Sequence, residues 1–259
     1  AQANKYVLLE HFTNTRCGIC GGTNPNFYNA IQVNTNTKIH HMSIHPQIPY
    51  TTCIFYQANR TEQTARAAYY NLTGTPQVSV NGGNLQSAAT VSQNTINNAY
   101  STNAALSVLV TETSGTDRTA NITLRGFQTL PSAEYKLYAA VVEKVINYNA
   151  PNGETVHHNV FRRFLNTSSG QVISLPAAGQ STPYEFNYSI DGTWNPDNIY
   201  VLAWVQRSSD KAVINSGTRF DLMTGIEALD EPRISVYPNP TTDILSIESN
   251  DLKVEKFSV

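Results

Sequence analysis

Lys5-Tyr6-Val7-Leu8-Leu9-Glu10-His11-Phe12-Thr13-Asn14-Thr15-Arg16-Cys17-Gly18-Ile19-Cys20 joins an apolar run to a C-x-x-C pair, and its reading governs that of the chain. Lys5–Phe12 is short, apolar and opens on a charge, the pattern of a strand buried on both faces. Past the cysteines, Phe27, Ala30 and Ile31 recur at helical spacing, so a helix is expected over Asn26–Val33. A cysteine placed between strand and helix meets free backbone N–H groups and the positive end of the helix dipole, both of which favour a thiolate. Cys17 is therefore the expected nucleophile. Cys20, one turn on and less exposed, would resolve the mixed disulfide. The motif by itself also fits half of a zinc site, or chance. A zinc ribbon needs a second cysteine or histidine pair at matching spacing, and there is no second C-x-x-C.

Outward from this stretch, Lys38–His45 reads as a strand stopped by Pro46, Ala58–Tyr70 as a helix, and Gln77–Val80 as a strand closed by Asn81-Gly82-Gly83. Val91–Tyr100 reads as a last short helix. Alternating strands and helices predict an α/β domain over residues 1–104, a sheet with helices packed on it. From Ala105 the texture changes. Leu106–Glu112, Ala120–Phe127, Tyr135–Lys144, Tyr184–Ile190 and Tyr200–Arg207 are β-branched, aromatic or alternating, with turn residues between many of them. They predict an all-β antiparallel sandwich over 105–225. Residues 226–259 read as a linker and a short β tail that ends in mid-alternation, as if truncated.

Composition narrows the function. Hydrophobic residues make up 40% of the chain, enough for a real core, and no stretch approaches the roughly 20 apolar residues of a membrane-spanning helix. Only 14% are charged, and the net charge of -2 argues against a nucleic-acid partner, because phosphate binding needs a basic surface. The start at Ala1 has no charged segment followed by an apolar run, so a signal peptide is expected to have been removed or left out. Three cysteines are too few for a disulfide scaffold, and the odd one, Cys53, is expected to be a small buried hydrophobe.

Residues 5–104 resemble the thioredoxin fold. Cys17-Gly18-Ile19-Cys20 follows the first buried strand, Pro25 stands eight residues after Cys17, and Gly74-Thr75-Pro76 precedes a strand as the thioredoxin cis-proline loop does. The resemblance implies that Thr75 and Pro76 hold an extended substrate beside the cysteines. Arg16 stands where the family has tryptophan, and Ile19 where it has proline. A positive charge at Arg16 should favour a thiolate at Cys17. Ile44–Phe55 looks like an insertion. Glu10 ends the central strand, where thioredoxins keep a buried carboxylate that takes the resolving cysteine's proton; a hydrogen-bonded strand-end glutamate is the other reading. Glu10-His11-Phe12-Thr13, with Tyr69-Tyr70 and Gly74-Thr75-Pro76, is similar to the outer-membrane-protein-28-related thioredoxin-like proteins of bacteria, which are extracytoplasmic. In the tail, Val236-Tyr237-Pro238-Asn239-Pro240-Thr241 followed by Ile244–Ile247 resembles the opening of a type IX secretion sorting domain.

His40, His41 and His45 alternate along one strand and could join Cys17 and Cys20 around copper or zinc. The ligand count of a closed site is missing, so neither a metal nor an organic cofactor is expected. His157-His158 near Arg162-Arg163 forms the polar cluster of the second half, and Trp194 and Trp204 could stack on sugar or pack in a core. Two functions follow. The first is an exported thiol–disulfide oxidoreductase acting on protein thiols or disulfides, with glycan or cell-surface contacts through the sandwich. The second is a non-catalytic surface binding protein in which Cys17–Cys20 is a structural disulfide.

Overall fold

The computed structural model describes residues 3–221 and two strands beyond them, 235–237 and 246–248. Strand β1 (Val7–Phe12) is buried along its whole length, as its unbroken apolar run requires. Helix α1 (Gly18–Ile31) starts at the cysteines rather than at Asn26, because Gly18, Gly21 and Gly22 hide the helical period of its first turns. Strand β2 (Ile39–Ile44) runs parallel to β1. Helices α2 (Ile54–Ala58) and α3 (Arg60–Tyr69) follow, and Asn59 caps α3 by accepting the Glu62 N–H. Strands β3 (Gln77–Val80) and β4 (Gln86–Ser87) and helix α4 (Gln93–Ala99) complete the first half. Here the sheet order is β2-β1-β3-β4, with β3 antiparallel to β1. Alternation along β1 sends Val7 and Leu9 towards Phe27, Tyr28 and Ile31 of α1, and Leu8 and Phe12 towards Met42, Ile44, Ala67 and Tyr70.

The second half adds β5 (Leu106–Glu112), β6 (Asp117–Gly126), β7 (Tyr135–Asn147), β8 (Val156–Phe164), β9 (Gln171–Ile173), β10 (Ser181–Ser189), β11 (Ile199–Arg207) and β12 (Val213–Thr218). These strands do not build a separate sandwich. β12, β11, β7 and β8 extend the first sheet in the order β12-β11-β7-β8-β2-β1-β3-β4, with β9 on β7, giving nine strands. The joint is β2 against β8, where Ser43 pairs with Val160 and the Ser43 hydroxyl donates to the His158 carbonyl at 2.7 Å. Only β10, β6 and β5 form a second sheet. Its apolar side (Val108, Val110, Ile122, Leu124) packs on Leu137, Ala139, Val201 and Ala203 of the large sheet. The opposite faces of β7 and β11 bury Tyr138, Ala140, Leu202 and Trp204 with Leu8 and Phe12 of the first half.

The boundary expected between 104 and 105 therefore divides no compact units; residues 3–221 belong to one. The physical reason lies in Leu137–Val142 and Ile199–Val205. Continuous apolar runs of that kind belong to strands covered on both faces, as Lys5–Phe12 does, and not to the half-solvated strands of a free sandwich. In the tail, β13 (Ser235–Tyr237) and β14 (Ser246–Glu248) pair antiparallel. Pro238–Thr241 of the sorting-domain motif and the chain's end at Val259 lie outside the described residues.

Candidate active site

Cys17 is the N-cap of α1. Its backbone is extended (φ -77°, ψ 110°), and its sulfur accepts the Cys20 N–H at 3.2 Å. One of the orphan donors of the helix terminus is thereby aimed at Cys17 Sγ. The Thr75–Pro76 peptide bond is cis, and the Thr75 carbonyl lies 3.7 Å from Cys17 Sγ. Cys20 Sγ donates to the Thr75 hydroxyl at 3.3 Å. Four expected site residues, Cys17, Cys20, Thr75 and Pro76, thus come together. Cys17 is 4% exposed and Cys20 is fully buried, while Ile19 between them is 72% exposed. Arg16 is exposed beside them. Burial, and then the hydrogen bond with Cys17, push the Cys20 thiol up to about 12, whereas the hydroxyls of Thr75 and Thr13 pull it down.

Glu10 is not part of this site. It points to the sheet face away from α1, with Leu8 and Phe12, and is fully buried in a bidentate pair with Arg66 (Nε–Oε1 2.6 Å, Nη2–Oε2 2.8 Å). The Tyr70 hydroxyl donates to Oε2 at 2.5 Å. The carboxylate on the cysteine side is Glu154, in the turn between β7 and β8. Asn24, one helical turn after Cys20, donates to Glu154 Oε1 at 2.9 Å and to the Thr13 hydroxyl at 2.8 Å. Nothing in the local sequence announces this, because Glu154 stands 134 residues after Cys20 (154 − 20) and its turn reads as an ordinary Asn152-Gly153 connection.

The same turn holds the cysteine loop. Asn152 N–H donates to the Thr15 carbonyl at 3.1 Å, and its amide reaches the carbonyls of Asn14 (3.2 Å) and Cys17 (3.3 Å). Gly21 makes room for it: a Cβ there would stand 2.1 Å from the Asn152 carbonyl oxygen. Gly21→Ala is therefore expected to unseat the turn, with a loss of about 1–3 kcal/mol, or roughly 2–10 °C in Tm, and faster alkylation of Cys17. An unchanged Tm would show that residues 150–154 do not rest on α1. The expected insertion is pinned by Asn14, whose amide donates to the carbonyls of Pro46 (3.0 Å), Ile48 (3.3 Å) and Tyr50 (3.0 Å). Cys53, fully buried, accepts a hydrogen bond from Thr15 at 3.2 Å.

The model of one family, outer membrane protein Omp28, matches residues 63–219, more than half of the 259 residues. The chain belongs to the Omp28 family. That membership accords with a bacterial, extracytoplasmic protein of the outer membrane or cell surface. The match begins after the cysteine pair, so it bears on the scaffold and the Thr75–Pro76 turn rather than on Cys17 and Cys20. HBP35 of Porphyromonas gingivalis has the same fold over 98% of this chain and 87% of its own, with a TM-score of 0.71 and 20% identity. A domain of the outer membrane lipoprotein Omp28 from the same organism aligns with 44% of this chain and 86% of its own, at 12% identity and a TM-score of 0.34. No curated protein matches the chain.

The remaining candidates in this Omp28 family member go elsewhere. His40 bonds Ser216 and Asp221, both at 2.8 Å, on the face of β2 opposite His41. His41 Nε2 lies 3.3 Å from His11 Nδ1, and His45 packs edge-on against Phe55. Among the described residues no group of three His, Cys, Asp or Glu side chains is arranged to hold a metal. His157 bonds the Tyr148 carbonyl, and Arg162 pairs with Glu143, so this cluster packs against the β2–β8 joint rather than opening as a ligand site. Trp204 is fully buried and stacked on Tyr138 at 5.0 Å, so it presents no face to a sugar; Trp194 is half-buried against the second core.

Proposed function

We propose that this Omp28 family member is an exported thiol–disulfide oxidoreductase built on a thioredoxin-like half. The observation that carries the reading is Cys17 Sγ at the N-terminus of α1, capped by the Cys20 N–H and set against the Thr75 carbonyl before a cis-proline. The β2-β1-β3-β4 order, with parallel β1 and β2 and antiparallel β3 and β4, supports the thioredoxin-like assignment. Under this reading, residues 226–259 are a linker and the opening of a type IX sorting domain.

In the reductive direction, the Cys17 thiolate attacks a substrate disulfide. A Cys17–substrate S–S bond forms and the substrate's other sulfur leaves as a thiolate. Cys20 then loses its proton and attacks Cys17 Sγ. The Cys17–Cys20 bond forms and the second substrate thiolate departs. The substrate gains two electrons, the protein dithiol loses two, and an external dithiol restores it. The Thr75 backbone and Pro76 hold the extended substrate. Cys17→Ser is expected to abolish reduction of a model protein disulfide, and Cys20→Ser to trap the mixed disulfide.

A second reading, a binding protein with a stable Cys17–Cys20 disulfide, is favoured by the 4% exposure of Cys17. A reduction potential below about −300 mV without turnover would decide for it.

A further inference from the structure

A cavity of about 240 Å³ lies beside the joint of the large sheet and shares no lining residue with the cysteine site. The first half of the chain gives it two rings. Tyr6, just before β1, lies 4.5 Å from the His40 ring of β2, and Tyr100 follows α4. The second half gives it two more, Tyr200 of β11 and Phe220, which meet edge-on at 5.2 Å. The buried polar groups of the lining are held by the chain itself. His40 bonds Ser216 and Asp221, and Asn159 of β8 accepts the Tyr200 hydroxyl and donates to His41. The loop between α1 and β2 supplies the rest of the rim. There the side chains of Asn34, Thr35 and Thr37 make no hydrogen bond among the described residues.

Asp221 brings a carboxylate to this lining. On Oδ1 it accepts His40 Nε2 at 2.8 Å and the Thr218 hydroxyl at 3.3 Å; on Oδ2, among the described residues, it accepts the Thr218 N–H alone, at 2.8 Å. Each carboxylate oxygen has two lone pairs, so Oδ2 keeps one for a further donor.

These groups select a ligand by exclusion. Pockets for drug-sized molecules run to about 300–1,000 Å³, so this one takes a single small ring. An anion would meet the Asp221 carboxylate. A cation would find the rings already taken, since Lys144 and Arg219 each lie 5.0 Å from the Phe220 ring and Lys38 lies 5.3 Å from Tyr100. An apolar ring would strip water from Asp221 Oδ2 and give it no donor in return. A neutral sugar meets both demands: one face of C–H groups for an aromatic ring, and a rim of hydroxyls for the carboxylate, the amide and the threonines. Tyr6 carries no cation and rests on His40, which makes it the ring to stack on. We infer that this cavity binds one neutral pyranose of a glycan, its C–H face on the Tyr6 ring and a hydroxyl donating to Asp221 Oδ2.

Saturation-transfer NMR on the full chain tests this, with methyl β-glucoside, methyl β-galactoside and methyl α-mannoside as probes. At least one is expected to bind with a Kd of about 1 mM, the range open to so small a ligand. Tyr6→Leu should weaken that sugar about fivefold and Tyr6→Phe should restore it, because the ring and not the hydroxyl is used. Asp221→Asn should cost about tenfold, the loss of a hydrogen bond to a charged atom. No transfer to any of the three sugars overturns the inference, and so does a sugar that binds both Tyr6→Leu and Asp221→Asn as it binds wild type. Should those variants fail to fold, amide spectra of the wild type decide: shifts on adding the sugar must centre on residues 33–37 and 218–221, and shifts centred elsewhere overturn it. Cys17→Ser should leave the Kd unchanged. A wild type inert towards disulfides that still binds the sugar would sink the exchange reading and leave this one standing.

Discussion

Between pH 7 and pH 5 the protein is expected to lose several kcal/mol of its folding free energy, and the cause is a set of buried histidines. Burial holds His11 down at about 3, and it depresses His41 and His45 well below the ordinary histidine range, with the neighbouring histidines adding to the effect on both. In the unfolded chain each titrates near 6.5. Above that value both states are neutral and the stabilisation is complete. Below it the unfolded chain binds protons that the folded chain refuses, so stability falls as pH falls, down to the folded-state values. Each fully responding histidine contributes about 1.4 kcal/mol per pH unit, so three give about 4 kcal/mol per unit once the pH is well under 6. Burial depresses His157 and His158 in the same direction, His157 against the pull of the Tyr148 carbonyl and Glu154, and His158 with the help of His157. Set against a total of about 5–15 kcal/mol for an ordinary domain, this sum is decisive.

The position of these residues says where the fold should open. His11 lies on β1, His41 and His45 at β2, and His157 and His158 on β8, so they flank the joint between the two halves of the large sheet. Arg162 of β8 already faces His45 with a positive charge, and Tyr28 packs on His11, His41 and His158. Urea unfolding at pH 7.5, 6 and 5 checks the expectation through a midpoint that drops at each step. A midpoint that holds from pH 7.5 to 5 would mean that these histidines find protons or partners in the folded state.

How far the sequence could lead is clear from particular residues. Lys5–Phe12, the C-x-x-C and Thr75-Pro76 are local signals, and the chain folds them where their patterns say. Leu137–Val142 and Ile199–Val205 carried equally plain information, since unbroken apolar runs mark strands covered on both faces. Strand β8 was not legible: Val156–Phe164 is broken by His157, His158, Arg162 and Arg163, of which His157 bonds the Tyr148 carbonyl and Arg162 pairs with Glu143 of β7. Glu10 shows the limit of position alone. Alternation on β1 put its side chain on the face that α3 covers, and only the packing of Arg66 there explains why a carboxylate can be buried. Glu154 and Asn152 reach the cysteines through a contact between chain segments more than a hundred residues apart, and no spacing rule could find them.

Arg66→Met should be the most destabilising single substitution in the first core, costing about 3–5 kcal/mol, because it leaves Glu10 buried without its counterion. Arg66 is itself fully buried. Besides the bidentate pair, its Nη2 donates to Gln206 Oε1 at 2.9 Å, and its guanidinium lies 4.6 Å from the Tyr69 ring, 4.7 Å from Tyr138 and 5.3 Å from Trp204. One cation therefore ties α3 to β1, β7 and β11, the two halves of the chain at once. The pair is not expected to be worth that much in itself, since desolvation offsets most of the attraction between buried charges. The double variant Glu10→Gln/Arg66→Met, which removes both charges and still gives Tyr70 an oxygen to donate to, should recover much of the loss. Urea unfolding of the four proteins of this cycle at pH 7.5 measures it, and a single variant within about 1 kcal/mol of wild type would show that water or another cation neutralises Glu10. The same variants test whether Glu10 acts on the cysteines. Where the folded state persists, the pH profile of Cys17 alkylation should be unmoved by Glu10→Gln, because Glu10 lies on the far face of β1 from the cysteines.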